Sequence, residues 1–345
     1  MKTSVNRQYG ELLEKVTVLL KDGGLTTGHA QLAAEAICSA SLRGTDSHGI
    51  RLLPHYLEAL QAGRIDPAAT FEYERTSPST AILDANHGMA HAAVATAMDY
   101  AIELAKESGA GFVSVKNSNH CGAMAYYGLR AARQDMIGIV TTNTTPKIKV
   151  HNARAPYFGT NPICVTAPMA GEDPFCFDAS PAVMSSNKIK MLKASGDRLP
   201  GGVAADPDGN ETHDAGLAKM LLPLGGLLSG YKGYGISMVV DILSSLLSGM
   251  PAGKDVTTMY SEIGEPPDNK RYLGQFVGAI RISSFVDVSR FKERLSAIAQ
   301  EIRRLPQALD AEDEVMIAGD PEKRATKLRK DSGIPVPYEV DRLLP

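Results

Sequence analysis

Between residues 80 and 143 the chain alternates short β-rich segments with longer helical ones, and this alternation constrains its fold more than any other feature. "TAILDANHG" and "FVSVKN" are typical of strands, and "MAHAAVATAMDYAIELAKES" between them places apolar residues at helical spacing. A second helix is predicted from about 122 to 134, followed by a strand in "MIGIVTTN". Strand, helix and strand in this order predict a βαβ crossover and therefore an α/β fold.

The chain begins with helices. Apolar residues recur at helical spacing in "QYGELLEKVTVLLKD" (8–22) and "HAQLAAEAICSASL" (29–42), and "LPHYLEALQAG" predicts a short helix with proline in its first turn and Gly63 just past its end. "RIDPAATFEYERTSPST" then breaks the periodicity with two prolines, which predicts a crossing into a second domain.

The second half mixes strands and helices. Short strands are predicted in "FGTNPICVTAPM", "PFCFDAS" and "FVGAIRISSF", and a turn region in "GVAADPDGNETHD". Helices are predicted in "YGISMVVDILSSLLSG", with Gly249 as the stop, and in "VSRFKERLSAIAQEIRRLP". A proline-rich extension follows the last helix.

Composition limits the class of protein. The 345 residues are 43% hydrophobic and 22% charged, enough for a large core that divides into two domains. The net charge of -3 is interleaved, which indicates neither nucleic acid nor an anionic membrane as partner and favours small molecules or copies of the chain. No signal peptide and no apolar run of roughly 20 residues is found, so a cytoplasmic location is predicted.

The four cysteines show no CxxC pairing, so neither a zinc site nor a disulfide framework is predicted. Three are interpreted as core residues. Cys121 stays open because it adjoins a histidine.

The first candidate site lies in "RGTDSHGIRLLPHY", residues 43–56, at a joint between two helices. His48 precedes a glycine that lets the backbone bend, and Asp46 and Ser47 could fix its tautomer. A lone histidine at such a joint is often only a hydrogen-bonding group. Arg51 favours a site, because a guanidinium beside a histidine suits a carboxylate next to a proton donor.

The second candidate is "NSNHCG", residues 117–122, between a predicted strand and a predicted helix. This places His120 at the carboxyl end of a strand, where open α/β folds bind ligands, and at a helix N-terminus, which favours a neutral imidazole. The alternative is that Asn117, Ser118 or Asn119 caps the helix and His120 merely covers it.

The third candidate is "PLGGLLSGYKGYG", residues 223–235, whose glycines and Lys232 could bind a phosphate. The segment does not match GxxxxGK[ST], and a plain turn is an equal alternative. "GAGFVS" at 109–114 lacks the third glycine of a dinucleotide fingerprint and precedes a strand, so no Rossmann loop is predicted. GxSxG and HExxH are also missing. Spacing alone therefore indicates an enzyme with His48 and His120 as an acid/base pair.

Taken together, six ordered blocks between about residue 8 and 338 resemble the type-2 malate/L-lactate dehydrogenase family. They are "GTDSHGIRLLPHY", "NSNHCGAMAYY", "FGTNPICVTAPM", "FDAS" with "SSNKI", "LPLGG" with "GYKGYGISMVVDILSSLLSG", and "AGDPEKR". The family, which includes ureidoglycolate, sulfolactate and diketogulonate types, reduces 2-keto acids or cyclic imino acids with NADH or NADPH. Its fold is not Rossmann, which fits the missing fingerprint.

The resemblance implies an α/β (α+β) fold and a homodimer with its active site in a cleft near the subunit boundary. A helical domain would comprise residues 1–68 and 286–345. A cofactor domain with a mostly antiparallel sheet would be inserted between them at residues 69–285.

The resemblance also implies roles for individual residues. His48 resembles the proton donor, and His120 lies where other members place the catalytic histidine and a cofactor contact. The substrate-side positions are Ser47, Arg51, Tyr56 and Thr144. The cofactor-side positions are Asp178, Ala179 and Ser180 at a strand end, Tyr231, Lys232 and Gly233 in a phosphate-facing loop, and Gly319, Asp320 and Pro321. No metal is implied.

Several positions depart from the family pattern. The arginine usually found four residues after the histidine is Leu52, and Arg51 stands one position earlier. The strand end reads "DASPA", and the arginine of the family's next motif is Ser186. Because a 2'-phosphate requires a cation, the loss of this arginine favours NAD over NADP.

The hypothesis that follows is a reductase of 2-keto acids. Arg51 and Ser47 would hold the carboxylate, and His48 or His120 would polarise and protonate the carbonyl. Three alternatives stay open: a ketimine reductase acting on cyclic imino acids, a cofactor-free lyase or isomerase using the same two histidines, and a catalytically silent binding protein.

Overall fold

The computed structural model describes residues 4–258 and 269–345, which form helices around one large and one small sheet. The helices are α1 Tyr9–Asp22, α2 Thr27–Leu42, α3 Leu53–Gln61, α4 Ala90–Ser108, α5 Ala125–Ala132, α6 Ser186–Ser195, α7 Gly226–Asp241, α8 Val288–Arg303, α9 Asp320–Ser332 and α10 Tyr338–Asp341. The strands are β1 Ser4–Arg7, β2 Glu72–Ser77, β3 Thr80–Asp84, β4 Ala110–Ser118, β5 Met136–Thr142, β6 Pro146–Lys149, β7 Pro156–Gly159, β8 Ile163–Ala167, β9 Phe175–Ala179, β10 Ala204–Ala205, β11 Met220–Leu221, β12 Leu273–Arg281 and β13 Ile334–Pro337.

The large sheet has seven strands in the order β2-β3-β4-β12-β5-β8-β9. Every neighbouring pair is antiparallel except β3 and β4. The predicted βαβ crossover is present, since α4 joins the parallel neighbours β3 and β4. Strands β4 and β5, joined by α5, also run in the same direction, but β12 lies between them. The prediction of an α/β fold with a mostly antiparallel sheet is therefore confirmed.

Helix α4 covers one part of this sheet because its buried face consists mainly of alanines together with Val94, Met98, Ile102 and Leu104. It packs on β4 and β12, while α5 packs on β5 and β8. The helix approaches β4 so closely that a Cβ on Gly111 would lie 2.6 Å from the Leu104 Cβ, which only glycine avoids. Gly109, with φ +86°, ends the helix in the left-handed conformation.

The small sheet has four strands in the order β10-β11-β6-β7. Together with α6 it encloses a separate apolar core that includes Ile148, Ile189, Leu199 and Val203. This unit forms one side of the cavity described below.

The two ends of the chain meet in a third core. Strands β1 and β13 pair antiparallel, and Ile334 and Val336 pack with buried side chains of α1, α2 and α3 such as Leu12 and Ile37. Residues from both chain ends therefore share this core. The division into a helical domain of residues 1–68 and 286–345 and an inserted cofactor domain of residues 69–285 remains a prediction.

Helix α8, which was expected in the helical part, also contacts the sheet side. The Lys292 ammonium lies 2.9 Å from the Asp135 carboxylate, and the Ser296 hydroxyl donates to the Ala170 carbonyl. Arg303 at its end forms ion pairs with Glu172 and Asp320.

Helix α7 begins earlier than the sequence predicts. Gly225, with φ +91°, precedes its first turn, the helix bends at Ser229, and it continues into a π-helical turn at Ile242–Leu246. Gly249, with φ +70°, follows as the predicted stop. The segment "GYKG", predicted as part of a loop, therefore lies within a helix.

Candidate active site

A cavity of about 570 Å³ lies between the two sheets and the helical part, within the size range of small-molecule sites. Its walls come from the turn at residues 45–48, the start of α5, the ends of β5 and β9, the start of α6, and the segment 316–322. Of the predicted site residues, the cavity is lined by Ser47, His48, His120, Thr144, Asp178, Ala179, Ser180, Gly319 and Pro321. The fold therefore gathers nine residues that are widely separated in sequence.

His48 reaches the cavity because the chain makes a tight turn against α2. Its short 3-10 helix, Asp46–His48, is followed by Gly49, where a Cβ would lie 2.8 Å from the Ser41 amide nitrogen and even closer to its hydroxyl. The Ser41 hydroxyl in turn accepts a hydrogen bond of 2.8 Å from the Ile50 amide. Only glycine allows this approach, so the local sequence determines the position of His48.

The two residues expected to orient His48 behave differently. The Ser47 hydroxyl shares a hydrogen bond of 2.8 Å with Nδ1 of His48. Asp46 instead accepts two hydrogen bonds, of 2.6 and 2.8 Å, from Arg329 on α9, which also donates to the Ser41 carbonyl. Ser47 thus orients the His48 ring, while Asp46 connects the turn to helix α9 through Arg329.

His120 lies just beyond the end of β4, as predicted. Its Nδ1 shares a hydrogen bond of 2.8 Å with the hydroxyl of Tyr56, which is buried and 1% exposed. None of the preceding polar residues caps α5. That role falls to Asp178 at the end of β9, whose carboxylate accepts the Ala125 amide at 2.8 Å.

The two imidazoles stack next to each other in the cavity wall. Their ring centroids are 5.8 Å apart and their planes differ by 24°. Because a hydroxyl engages each Nδ1, each Nε2 is left as the ring nitrogen for a ligand, and among the described residues it has no hydrogen-bond partner. This geometry allows both imidazoles to contact one small polar group of a ligand.

Burial shifts both rings toward the neutral form. It lowers the pKa of His48, and the nearby Lys147 ammonium lowers it further. The pKa of His120 lies well below the ordinary value, chiefly through burial and then through the charges of His48, His91, Arg271 and His55. At neutral pH His120 is therefore a neutral imidazole, and His48 is the easier of the two to protonate.

Arg51 does not reach the cavity. It lies in a second 3-10 turn, Ile50–Leu52, whose successive side chains point in three directions. Ile50 is buried in the core, Leu52 lines the cavity and Arg51 is exposed. The family's arginine position thus faces the cavity, but leucine occupies it here.

Tyr56, expected on the substrate side, lies behind the cavity wall. Its hydroxyl shares a hydrogen bond with His120, and its ring packs edge-on against His91 with centroids 4.7 Å apart. Its position is that of a residue that orients a histidine.

The cofactor-side predictions divide into two groups. Asp178, Ala179 and Ser180 line the cavity, and burial raises the pKa of the Asp178 carboxyl to about 6. The loop ending at Gly319 lies over β9, where a Cβ on Gly319, with φ +94°, would lie 3.0 Å from the Cys176 carbonyl oxygen. Strand end and loop together form one edge of the cavity.

Four predicted cofactor residues lie elsewhere. Asp320 turns its carboxylate to Arg303 and to the Ile317 amide, which fixes the start of α9. Tyr231, Lys232 and Gly233 lie inside α7, and none of them lines the cavity, because the helix begins before them. Lys232 places its ammonium 5.9 Å from the centre of the Tyr231 ring.

Cys121, left open by the sequence, is buried outside the cavity lining. Burial raises the pKa of its thiol to about 12, which makes it a poor nucleophile. Its carbonyl accepts a hydrogen bond from Tyr127. It is therefore a core residue like the other three cysteines, which are also buried.

The structure adds cations that sequence reasoning missed. Arg271, Lys147 and Lys190 line the cavity together with Arg43. Arg271 is buried and donates to the Thr145 hydroxyl and the Thr257 carbonyl. Arg43 begins the first candidate segment and Lys190 follows "SSNKI", but nothing in either segment indicates that its side chain faces the histidines, and the fold brings all four cations to the cavity.

Neither a metal-binding cluster nor a membrane-spanning helix is found among the residues that the structure describes. Residues 4–258 and 269–345 contain no group of three or more His, Cys, Asp or Glu side chains that could hold a metal ion. Over the same ranges no helix combines the length and the hydropathy needed to cross a membrane.

Comparison with known proteins gives one consistent result. The malate/L-lactate dehydrogenase family profile matches residues 8–344. A malate dehydrogenase of Pyrococcus abyssi is 35% identical over 336 residues, covering 96% of this chain and 90% of that protein. A malate/(S)-sulfolactate dehydrogenase of Methanothermus fervidus is 32% identical over 323 residues, covering 93% of this chain and 89% of its own.

A solved structure agrees with the sequence matches. The crystal structure of malate dehydrogenase from Entamoeba histolytica superposes with a TM-score of 0.91 at 28% identity, covering 99% of this chain and 97% of the other.

Two further relatives bear on cofactor and substrate. An Escherichia coli K12 ureidoglycolate dehydrogenase (NAD(+)) is 31% identical over 84% of this chain and 80% of its own length. A Pseudomonas putida reductase of Δ1-pyrroline-2-carboxylate and Δ1-piperideine-2-carboxylate is 27% identical, over 97% of this chain and 94% of its own.

Proposed function

This chain belongs to the malate/L-lactate dehydrogenase family and is an NAD(P)-dependent oxidoreductase of 2-hydroxy acids, and from this premise we propose how its cavity works. The reaction transfers a hydride between NAD(P)H and the carbonyl carbon of a 2-keto acid. The observation that carries the proposal is the facing pair of His48 and His120, each with Nδ1 held and Nε2 available.

His48 donates the proton to the substrate oxygen. It is the easier of the two rings to protonate, and an anionic substrate beside it stabilises the imidazolium. His120 acts as a neutral hydrogen-bond donor. When the Tyr56 hydroxyl donates to Nδ1, the hydrogen of His120 stands on Nε2 and polarises the same carbonyl.

Arg271 holds the carboxylate next to the reacting carbon. It is the buried guanidinium in the cavity wall, whereas Arg51 is exposed and Leu52 takes the expected position. Ser47 and Thr144 line the same region and provide neutral hydrogen-bonding groups. Their contact with substrate is part of the proposal.

The rest of the cavity suits a dinucleotide. The Asp178 carboxylate can accept from ribose hydroxyls, and the N-terminus of α6, with Ser186 and Asn187 in the cavity wall, suits a phosphate. Ala179, Ser180, Gly319 and Pro321 complete this edge. When bound, the dinucleotide supplies the hydride. We propose NAD as the preferred cofactor. The position at which the family has an arginine is Ser186 in this chain, and a neutral hydroxyl does not provide the cation that a 2'-phosphate requires.

A second candidate keeps the site and changes the substrate to a cyclic imino acid. The Pseudomonas putida reductase supports it, since it is similar over nearly the whole chain. In that reaction the acceptor is a C=N bond, and the same carboxylate contact and histidines apply. Family membership gives no support to a cofactor-free lyase or isomerase.

A homodimer is the proposed assembly. The buried face of helix α7 is mostly small or polar and includes Gly230, Ser237 and Asp241. Its exposed side chains and those of the π-helical turn are apolar, since Leu228 is 90%, Leu246 62% and Met238 50% exposed. An exposed apolar surface of this kind favours burial, and a second copy of the chain provides it. The cytoplasmic location expected from the sequence stays a prediction.

Titration of the purified protein with NADH and NADPH, followed by a 340 nm oxidation screen of 2-keto acids and cyclic imines, tests the proposal. We expect tighter binding of NADH and turnover of at least one 2-keto acid. Turnover of imines alone would favour the second candidate. Failure to bind either nucleotide would overturn the proposed chemistry.

A further inference from the structure

Two of the sequence blocks contribute no group to the proposed chemistry, namely "FGTNPICVTAPM" and "GYKGYGISMVVDILSSLLSG". They meet at Asn161 of the first block, which has no exposed surface. Its amide oxygen accepts a hydrogen bond of 3.0 Å from the Thr144 amide. Its amide nitrogen donates to the Ser237 carbonyl and to the Asp241 carboxylate, both at 2.9 Å. Asn161 therefore connects a residue of the cavity wall to helix α7.

The contacts of Asn161 require an amide side chain. Thr144 presents an N–H and needs an acceptor, whereas Ser237 and Asp241 present oxygens and need a donor. A carboxylate at this position would bring a third oxygen against the other two, and an aliphatic side chain would leave all three groups without this partner. The neighbours therefore determine which way the amide faces.

The backbone of Asn161 is also unusual. Its φ is +27°, in the left-handed region that residues other than glycine seldom adopt and that asparagine tolerates better than most. Residues held in such conformations cluster at functional sites. Glycine would form the same turn with less strain, so what asparagine adds at this position is its side chain.

The two residues before Asn161 also hold Thr144. A Cβ on Gly159 would overlap the carbonyl oxygen of Thr144, so only glycine allows the two segments to approach. The Thr160 hydroxyl shares a hydrogen bond of 3.1 Å with the Thr144 hydroxyl, which also accepts from the Asn161 backbone amide at 3.4 Å. Three consecutive residues thus fix both the backbone and the side chain of Thr144 in the cavity wall.

Asp241 holds the other end of this connection. Its carboxylate is buried and accepts hydrogen bonds from three neutral groups: the Asn161 side chain, the Ser245 hydroxyl and the Gly253 amide. Burying a carboxylate among neutral donors is costly, and burial raises its pKa. Asp241 ties Asn161 to the point where α7 passes into its π-helical turn, and such turns are frequent at functional sites.

We propose that Asn161, anchored by Asp241, is a positioning residue that holds the Thr144 hydroxyl in place for hydrogen bonding to the substrate. The inference rests on the proposed function, in which Thr144 is a substrate contact. Asn161 does not line the cavity itself, so it acts through Thr144. Loss of its side chain should therefore weaken substrate binding and leave dinucleotide binding and the proton-handling histidines in place.

The test combines Asn161→Gly with Thr144→Val in a double-mutant cycle, assayed with NADH and the substrate that the wild type reduces best. Glycine suits the positive φ, so the turn persists while the side-chain amide is lost. By itself, Asn161→Gly should raise the KM for the substrate about tenfold, with kcat and NADH affinity nearly unchanged. When Thr144→Val is already present, Asn161→Gly should add little, because the hydroxyl through which it acts is gone.

Two further variants complete the experiment. Asn152→Gly is the matched control and should behave as wild type, since Asn152 also has a positive φ, +63°, but is exposed and outside the cavity lining. Asp241→Asn keeps the shape of the side chain, but one amide oxygen cannot accept from both Asn161 and Gly253. It should raise the same KM by less, and this rise should also disappear in the Thr144→Val background.

Additive effects of Asn161→Gly and Thr144→Val on the KM would show that Asn161 only supports the fold, and would overturn the positioning role. An unchanged KM in either single variant would overturn it too, as would an equal loss of NADH affinity. If Asn161→Gly does not fold, the cycle with Asp241→Asn decides by the same criterion. A wild-type chain that reduces neither keto acids nor imines refutes the proposed function and this inference together, whereas an additive cycle in an active enzyme refutes the inference alone.

Discussion

Two sides of the cavity are built in opposite ways. On the histidine side, hydroxyls of Ser47 and Tyr56 hold the two rings, and Arg329 ties the turn before His48 to α9. On the other side, Lys147 of the small sheet and Lys190 of α6 line the cavity and form no ion pair with described residues. The comparison teaches that hydrogen bonds fix the two histidines in place, whereas the two lysine side chains are not held by an ion pair within the described part of the chain.

The histidine side is also the more deeply buried. Behind it lies His91, fully buried, with neither ring nitrogen hydrogen-bonded to any described residue. Burial lowers its pKa to about 3. The same burial that orients the histidines therefore makes this side sensitive to acid.

The largest effect on kcat should follow from replacing either of the two histidines. We expect His48→Asn and His120→Asn each to lower kcat by roughly 10²- to 10⁴-fold, the usual contribution of a positioned proton-transfer group. NADH affinity, measured by fluorescence, should change little in His48→Asn. His29→Asn, near the start of α2 and outside the cavity lining, is the control, and its half-buried ring stacks on Phe71. Near-normal turnover in both active-site variants would refute the assignment.

The next effect concerns stability in acid. The pKa of His91 in the folded chain lies below the unfolded value of 6.5, so below pH 6.5 the unfolded chain binds a proton that the folded chain does not. The free energy of unfolding should therefore fall by about 2 kcal/mol between pH 7 and 5 through this residue alone. The free energy of unfolding should be measured with urea at both pH values. In His91→Met it should fall by about 2 kcal/mol less between pH 7 and 5 than in the wild type. Parallel losses in the two proteins would contradict it.

A smaller effect on kcat should follow from removing the Tyr56 hydroxyl, which orients His120. Tyr56→Phe leaves Nδ1 of His120 without that hydrogen bond, and we expect kcat to fall about tenfold while the KM for NADH is unchanged. Tyr100→Phe, which lies at the surface stacked on Tyr73, should behave as wild type. A fall in stability without a fall in kcat would make Tyr56 a packing residue only.

The smallest effect links the two sides. The Lys147 charge lowers the pKa of His48, so Lys147→Met should raise it. In the proposed mechanism reduction requires protonated His48, so kcat/KM falls as the pH rises through the pKa of His48. In Lys147→Met this fall in kcat/KM should occur at a higher pH. The profile should be recorded with the same keto acid for both proteins. A shift to lower pH would exclude the coupling.

Several features of the site could be predicted from sequence because they depend on local rules. A histidine before a glycine in a helix joint and a histidine after a strand both lie in the cavity, as do Asp178 and Gly319. In each case the backbone needs a particular turn, strand end or left-handed residue, and a few neighbouring residues specify it.

Other features could not be predicted because they depend on where a side chain points after the fold has formed. One position in a 3-10 turn separates exposed Arg51 from Leu52 in the cavity. The start of α7 at Gly226 places Tyr231 and Lys232 on a helix instead of in a loop. Neither outcome leaves a periodic signal in the sequence.

By itself, the sequence determined the α/β class, the crossover between β3 and β4, the family and both histidines, since these follow from periodicity, turn residues and ordered motifs. Only the tertiary structure decided which cations line the cavity and which hydroxyl holds which ring. The reason is physical: hydropathy and turn propensity act over a few residues. The contacts of Arg271 and Tyr56 join segments far apart in the chain, and they exist only once the sheets and helices have packed.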